Sequence, residues 1–197
     1  AYAGAYAGAS YSRRPTKQWV TTRGDADSDI IDDLPTLRER SRDLCRNAPI
    51  AIGAVSTALT NTIGTGLKLQ SRIDREYLRI TDEQADAWES SVEREFRLWA
   101  ESVECDAARS LTFALIQELA FRQVLENGDV FALTPRFRRG KWPYMLKLQL
   151  VEADRVCNEN NAANKDGLIE GIEKNDIGEA TAYHIRHQHP GADWVTK

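Results

Sequence analysis

The chain has 197 residues, of which 42% are hydrophobic, and it contains five tryptophans. A chain of this length and composition can bury a core as one ordinary domain or as two small ones. Charged residues make up 28% and the formal net charge is −4, which excludes a strongly basic nucleic-acid binder but leaves local contacts with DNA open.

The cysteines and the hydropathy pattern exclude several further classes. Cys45, Cys105 and Cys157 are odd in number, far apart and without CxxC spacing. This argues against a disulfide framework and a zinc site, and a reducing cytoplasm is the default. The most apolar long stretch, residues 50–64, is broken by polar residues and is shorter than the roughly 18 apolar residues of a membrane span. We therefore expect no transmembrane helix.

The first 33 residues predict an extended or disordered N-terminal arm. Residues 1–12 contain Ala-Tyr-Ala-Gly twice, and this stretch lacks the basic start and apolar run of a signal peptide. Residues 13–33 pass from a basic cluster to an acidic one. Such a composition buries little apolar surface against the entropy cost of ordering the backbone. The absence of an initial Met suggests that the chain was trimmed at its front.

Helix signals begin after this arm and predict helices at about 35–63, 81–103 and 111–126. Asp33 is a plausible N-cap, and Asn47-Ala48-Pro49 interrupts the first helix, because proline disfavours helical geometry in the preceding residue. Asn47 can cap the part that follows. Thr81 and Gln84 have the spacing of a capping box. The third helix has two apolar stripes, so we expect it to lie between layers or in an interface.

Strand patterns dominate the remainder and predict strands at about 67–73, 130–134, 144–151, 169–172 and 180–187. In the first, Leu67 and Leu69 alternate with polar residues, as in a half-buried strand. The last two are expected to join across residues 175–178. A helical N-terminal half followed by a β-rich segment predicts an α+β fold, with residues 34–197 forming its core.

Three patterns invite a catalytic or metal-binding interpretation. His184, His187 and His189 form the only histidine cluster, but in a strand His184 points away from His187. Glu152 and Asp154 share a strand face but have no evident third ligand or base. The residues Gly64-Thr65-Gly66 lack the spacing of a phosphate loop, and a structural turn is favoured. We predict no catalytic residue, no metal site and no cofactor.

Two basic patterns are candidate interaction sites. Arg136, Arg138, Arg139 and Lys141 are interleaved with aromatic residues and could contact phosphate, or they could simply keep a hairpin tip soluble. Arginines 38, 42 and 46 recur every four residues on a predicted helix. That stripe is either a solvated face or a salt-bridge seam between subunits. The candidate interface set is Arg38, Arg42, Arg46, Leu111, Leu115 and Leu119.

Four short blocks, taken in order, carry a resemblance to a known family. They are Arg46-Asn47-Ala48-Pro49, Gly64-Thr65-Gly66-Leu67-Lys68-Leu69-Gln70-Ser71, Cys105-Asp106-Ala107-Ala108-Arg109 and Asn127-Gly128-Asp129-Val130-Phe131. Their order and spacing resemble the lambda-type family of tailed-bacteriophage portal proteins. The similarity continues through residues 148–156, 169–173, 178–185 and 189–191, and the ordered set is more specific than any single block.

The resemblance implies a structural subunit that is not an enzyme. Portal proteins of this kind form a ring, usually a homododecamer, at the capsid vertex of the virion, after assembly in the host cytoplasm. They bind terminase, capsid or scaffold proteins, and head-completion or tail proteins, and they surround double-stranded DNA during packaging and ejection. The segment would belong to the wing and body. Because family members are longer, we expect the chain to be incomplete at its C-terminus, with the DNA- and terminase-contacting residues beyond Lys197.

Two interpretations from other classes remain open. The chain could be a stand-alone nucleic-acid-binding module that uses the basic hairpin at 136–142, or a small metal-dependent hydrolase that uses the histidines with Glu152 or Asp154. Salt-dependent DNA binding would favour the first. Divalent-metal binding that is lost in His187→Ala would favour the second.

Overall fold

A computed structural model describes residues 7–21 and 23–194 of the chain. The helices are α1 (Ala26–Ile30), α2 (Leu34–Asn47), α3 (Pro49–Thr62), α4 (Arg75–Leu78), α5 (Asp82–Ala100) and α6 (Phe113–Asn127), and the strands are β1 (Phe131–Leu133), β2 (Gln149–Val151), β3 (Leu168–Ile169), β4 (Ile172–Lys174) and β5 (Ala180–Tyr183). Helices in the first half precede small antiparallel sheets, which confirms the α+β prediction. The chain divides into two compact units, Ala1–Leu37 and Arg38–Lys197.

The first unit contains α1 and a short 3-10 helix, Ala7–Ala9, within the stretch 1–33 for which the sequence predicts an extended or disordered arm. Asp25 caps α1 by accepting a hydrogen bond from the Ser28 N–H at 2.8 Å. Asp27 and Asp29 lie in the first turn, where negative charge favours the helix dipole. Most of the repeated tetrapeptide, residues 1–6, lies outside the described residues, as does residue 22.

The long helix predicted at 35–63 is two helices, α2 and α3, separated by Ala48. Ala48 has an extended backbone (φ −104°, ψ 110°) because Pro49 follows it, and Pro49 occupies the first position of α3. Asn47 was expected to cap the second helix, but it ends α2, and its side chain donates to the Asp43 carboxylate at 2.6 Å. The break lies where the sequence places it, while the cap comes from the backbone alone.

Residues 67–73 do not form the strand that their alternating pattern predicts. Their backbone bonds to side chains of α5, with Ser71 N–H donating to Glu93 at 2.8 Å and Ile73 N–H donating to Glu89 at 2.9 Å. The two carboxylates stand where a neighbouring strand would supply acceptors. The segment is therefore held against a helix without joining a sheet.

Helix α5 begins with the predicted capping box, in which Thr81 and Gln84 bond each other's backbone N–H. It ends at Ala100, and the chain then turns through a short 3-10 helix, Val103–Cys105, where the sequence had predicted continued α-helix to residue 103. This turn directs the chain across the core towards α6. A residue that follows the end of α5, Cys105, thereby contributes its side chain to the core.

The core of the second unit forms where α5 and α6 meet. Trp99, Cys105 and Ile116 are buried together, and Phe96 and Phe113 pack against them. The rings of Phe96 and Phe113 meet edge to face with centroids 5.6 Å apart, a favourable aromatic geometry. This aromatic cluster holds the two helices against each other, and the later strands pack on them.

The first sheet pairs β1 with β2 in antiparallel register, with Phe131 opposite Val151. The predicted strand at 144–151 is shorter in the structure, because only its last three residues join β1. Earlier in the same stretch, Leu146 and Leu148 make isolated bridges to two different parts of the chain. One continuous ladder cannot serve both partners, so the strand is interrupted.

The second sheet has the order β3-β4-β5, with all pairs antiparallel. The single strand predicted at 169–172 is wrong, because a tight turn divides it between β3 and β4. Glu170 (φ 48°) and Gly171 (φ 78°) both adopt the left-handed conformation that such a hairpin turn requires. A Cβ on Gly171 would also lie 2.6 Å from the backbone nitrogen of Cys157, so the site admits glycine alone.

The last predicted strand, 180–187, ends at Tyr183 as β5. It pairs with β4 across residues 175–178, as the sequence suggested, with an irregularity between Glu173 and Lys174. Beyond β5, Ile185 makes only an isolated bridge to Val156. The histidine-bearing part of the prediction is therefore mostly loop. Among the described residues, no helix is both long enough and apolar enough to cross a bilayer.

Candidate functional site

The basic hairpin predicted at 136–142 folds as an irregular loop beyond β1. Its two sides meet in an isolated antiparallel bridge between Arg136 and Leu146, and Phe137 N–H donates to the Met145 carbonyl at 3.1 Å. Gly140 supplies a left-handed turn at the tip (φ 56°). The loop is thus anchored at its base and turns sharply at its end.

One of the four predicted phosphate contacts, Arg139, points back into the chain. Its guanidinium donates to the backbone carbonyl of Ala107 at 2.7 Å, lies 3.4 Å from the Glu104 carboxylate, and stands 5.1 Å above the Phe137 ring. These contacts occupy the group, so Arg139 anchors the hairpin. Arg136, Arg138 and Lys141 are exposed and remain available at the surface.

Asp106 organises the loop that receives this arginine. Its buried carboxylate accepts hydrogen bonds from the backbone N–H groups of Ala108 (3.0 Å), Ser110 (2.9 Å) and Leu111 (3.1 Å). A carboxylate that satisfies several amides fixes a loop that has no ladder of its own. The sequence indicates the surrounding Cys105–Arg109 block but does not by itself assign Asp106 the role of accepting these hydrogen bonds. The signal that could have revealed the role is the tendency of aspartate to accept hydrogen bonds from backbone N–H groups two or more residues later, as in an Asx turn.

A partly buried charge cluster involves two arginines of α2. We call it the Asp154 cluster, and its members are Arg38, Arg42, Asn127, Asp129, Asp154 and His189. Arg42 donates to Asp154, the Arg38 guanidinium lies 3.7 Å from the same carboxylate, and the His189 Nε2 lies 3.1 Å from it. Burial alone would raise the pKa of Asp154, but the Arg42 contact, followed by His189 and Arg38, outweighs it and lowers the pKa from its ordinary value.

The same two arginines bind the end of α6. Arg38 Nε donates to the Asn127 carbonyl at 3.0 Å, and Arg42 Nε donates to the Asn127 side-chain oxygen at 2.6 Å. Arg38 also pairs with Asp129 at 3.1 Å. Asn127 is the last residue of α6, in the last helical turn, where backbone acceptors lack partners and positive charge is favoured. The cluster therefore ties α2 to the end of α6 and to the loop after β2.

These contacts change the interpretation of the arginine stripe. Arg38 and Arg42 were predicted to be either solvated or intersubunit, and within the chain they are instead half-buried in the Asp154 cluster. Arg46, one turn further along, is exposed. Of the apolar candidates, Leu111 packs against the aromatic core. The stripe and the apolar candidates thus divide into internal anchors and surface residues.

Exposed apolar residues remain on α6. Leu115 and Leu119 are 46% and 37% exposed, and they lie one turn apart on the same helix face. Ile116, on another face, is buried in the core. The prediction that α6 is apolar on two sides matches this arrangement, in which the described part of the chain covers one side more fully than the other.

The histidine and carboxylate patterns separate in the structure. His184 Nε2 lies 2.7 Å from Glu173, while His189 belongs to the Asp154 cluster. Glu152 is exposed and does not share the surroundings of Asp154. Within residues 7–21 and 23–194, no group of three His, Cys, Asp or Glu side chains converges as metal ligands do.

The glycines of the second block act in a turn. Gly66 has φ +98°, and a Cβ there would lie 2.6 Å from the Cβ of Ala114 on α6. Gly64 is also left-handed and follows the end of α3. The predicted structural turn is present, and it brings the chain into close contact with a neighbouring helix.

Sequence reasoning did not identify Lys147, whose side chain is fully buried. Its amine donates to the Tyr144 carbonyl at 2.9 Å, and burial lowers its pKa. The residues that cover Lys147 come from a segment distant in the sequence, which is paired with this one through the hydrogen bond from Leu148 N–H to the Cys105 carbonyl at 2.7 Å. Alternation with leucines places Lys147 on the other face of a strand but gives no signal that this face is covered.

Comparisons with known proteins agree with the ordered blocks. The family model described as "Phage portal protein, lambda family" matches residues 12–197. The chain is 25% identical to portal protein B of Escherichia phage lambda over 193 residues, which is 96% of this chain and 36% of that protein. It is 25% identical to the portal protein of Escherichia phage N15, covering 100% of this chain and 37% of that protein.

A third relative has a similar relation to the chain. The probable portal protein of Halomonas phage phiHAP-1 is 26% identical over 183 residues, or 90% of this chain and 34% of that protein. The chain thus spans little more than a third of the length of these relatives. The resemblance seen in the sequence blocks is confirmed over nearly the whole chain, and the chain belongs to the lambda family of phage portal proteins.

Proposed function

We propose that this protein is a structural subunit of a phage portal, the ring that connects head and tail at one capsid vertex. The single observation that carries the proposal is the family match over residues 12–197, supported by relatives that are themselves named portal proteins. In this role the ring, a homododecamer by analogy with the family, encloses the channel for DNA packaging and ejection. It also binds terminase, capsid or scaffold proteins, and head-completion or tail proteins.

Physical features of the chain support this role. The net charge of −4 weakens phosphate binding, which suits a conduit through which DNA must slide. Leu115 and Leu119 on α6, together with Ile50 on α3, leave apolar surface exposed on the described residues. Closed rings bury such surface through repeated head-to-tail contacts between copies. Arg46, Leu115 and Leu119 are the interface candidates that within-chain contacts leave available.

The proposed subunit acts by geometry, without a catalytic step. It assembles in the host cytoplasm and is retained in the virion. Its surfaces hold partners in position, and its interfaces resist the internal pressure of the packed head. Tight rings of this kind depend on buried area and complementary charge between neighbouring copies.

The mass of the assembled particle tests this proposal. The full-length protein is purified, and native mass spectrometry gives the chain mass and the particle mass together. A closed ring of about a dozen copies is expected. A full-length protein that stays monomeric at micromolar concentration, and that electron micrographs show without rings, would overturn it.

The alternative function is nucleic-acid binding by the basic hairpin. The observation that favours it is the exposure of Arg136, Arg138 and Lys141 on one short loop. Three such contacts predict a salt dependence of binding with a slope near −3 on logarithmic axes for duplex DNA. Binding that survives Arg138→Ala with Lys141→Ala at unchanged salt slope would exclude the hairpin as the contact.

A further inference from the structure

The segment of residues 67–73, which we call the edge segment, has the pattern of a strand and only half of a strand's hydrogen bonds. Ser71 and Ile73, two residues apart, both donate their N–H groups to α5, at 2.8 Å and 2.9 Å. In an extended backbone, N–H groups alternate between the two sides. The N–H groups of Lys68, Gln70 and Arg72 therefore point away from α5, and none of the hydrogen bonds of the described residues uses them.

The side chains of the edge segment are also sorted into two faces. Leu67 and Leu69 are 60% and 39% exposed and lie on one face. Lys68, Gln70 and Arg72 are exposed on the other. An exposed backbone edge with alternating apolar and basic residues is a template for a further β-strand. The strand that fits it alternates acidic with small or apolar residues.

Pairing of this edge with itself is unfavourable. If two copies of the edge segment met in antiparallel register around Gln70, Lys68 of one copy would stand directly opposite Arg72 of the other. Like charges in directly opposed positions destabilise a sheet. The complementary strand must therefore come from a different, acidic part of the sequence.

Residues 25–30 have that composition. Asp25, Asp27 and Asp29 occupy alternate positions, and Ala26, Ser28 and Ile30 lie between them. With Asp27 opposite Gln70, the outer aspartates face Lys68 and Arg72, whether the strands run parallel or antiparallel. In the structure this stretch forms α1, a five-residue helix without a buried residue. So short a helix is marginally stable alone. On conversion to a strand, the interactions that Asp25, Asp27 and Asp29 make in and around the helix, including the Asp25 cap, are exchanged for those with the edge segment.

We propose that residues 25–30 of one copy add as a β-strand to the edge segment of a neighbouring copy. The added strand supplies carbonyl acceptors to the unused N–H groups, and it sets three carboxylates beside the basic face. Its small and apolar residues cover Leu67 and Leu69. This contact rests on the proposed function, since it joins successive subunits of an assembly, and it names the segments that meet.

Disulfide trapping tests the contact in assembled full-length protein. Two single variants, Gln70→Cys and Asp27→Cys, carry tags of different length and are mixed before assembly and mild oxidation. Opposed residues in neighbouring strands lie about 4.5–5.5 Å apart, within reach of a disulfide. We expect a heterodimer band on a non-reducing gel, and mass spectrometry should identify the linked peptides apart from Cys45, Cys105 and Cys157. Ser28→Cys replaces Asp27→Cys as the matched control, because its side chain lies on the other face.

The outcomes separate the two proposals. Rings that form without a heterodimer specific to Asp27→Cys overturn the strand contact and leave the portal function standing. Protein that never assembles overturns the portal function first. A double variant that carries both Gln70→Cys and Asp27→Cys is the further control. If it forms an intrachain disulfide while the mixed single variants form none, the contact between copies is also overturned. In a second test, Lys68→Glu with Arg72→Glu should weaken trapping at least tenfold, and Asp25→Lys with Asp29→Lys in the partner chain should restore it.

Discussion

Replacing Asp154 with asparagine tests whether the Asp154 cluster stabilises the second unit. The side chain is 18% exposed and interacts with the guanidinium groups of Arg42 and Arg38 and with the imidazole of His189. Asparagine keeps the shape but removes the charge, so both arginines lose a half-buried partner. Exposed ion pairs contribute about 0–1 kcal/mol and broken buried pairs cost about 3–5 kcal/mol, so we expect a loss near 2 kcal/mol in the free energy of unfolding.

The pH dependence follows from the direction of the pKa shift. The pKa of Asp154 in the folded protein lies below its ordinary value of 3.8, so the folded state favours the ionised carboxylate. The resulting stability is fully present above the unfolded pKa and is lost as the pH falls through the folded pKa. Asp154→Asn should therefore destabilise the protein at neutral pH and progressively less below about pH 4.

Urea denaturation at pH 7 and near pH 3 measures both effects. The matched control is Glu152→Gln, an exposed carboxylate two residues away, for which we expect a change within about 0.5 kcal/mol. The melting temperature of Asp154→Asn should fall by about 4–8 °C at neutral pH. Equal effects of the two substitutions at pH 7 would refute the claim that the cluster stabilises the fold.

Three further predictions concern buried and strained positions. Lys147→Met removes a buried amine whose pKa is lowered, so at pH 7 denaturation should show that the free energy of unfolding falls by less than about 1 kcal/mol or rises. At alkaline pH the amine becomes neutral and its burial costs less, so the wild-type protein should become more stable relative to the variant. In the same assay, Gly171→Ala should lower the free energy of unfolding by at least about 2 kcal/mol, because φ is +78° and the added Cβ would clash with the Cys157 backbone. The matched control is Gly178→Ala, which has a similar φ of +84° but open space around the Cβ, and it should lower the free energy of unfolding by about 1 kcal/mol. The Cys105 thiol, buried with its pKa raised to about 11, should resist maleimide labelling followed by peptide mass mapping until the protein unfolds, and rapid labelling in the native state would contradict the buried placement.

The helices could be predicted because their signals are local. The capping box of Thr81 and Gln84 and the break before Pro49 involve residues within four positions of one another. Strands depend on partners that are distant in the chain. The edge segment has a strand's alternation, yet Glu89 and Glu93 supply its acceptors. No period-two pattern can show which group will be nearby.

The candidate site was harder to predict for the same reason. The spacing of Arg38 and Arg42 correctly placed them on one helix face, but their shared partner Asp154 lies more than a hundred residues later. Charge and spacing alone favour a solvated face, since most such stripes are solvated. Lys147 gave the opposite error, because an alternating lysine looks exposed until another segment covers it.

The four blocks that first indicated the family contain no predicted catalytic residue, and the structure gives a physical reason why they are nevertheless informative. Gly66 permits close contact with α6, Asp106 satisfies three backbone amides, and Asn127 receives two arginines. Each position demands one backbone conformation or one hydrogen-bonding group, so few residue types can occupy it. A scaffold works by holding surfaces in place, so its most diagnostic residues are the joints of the fold. The contact between residues 25–30 and the edge segment extends that argument from joints within one copy to a joint between copies.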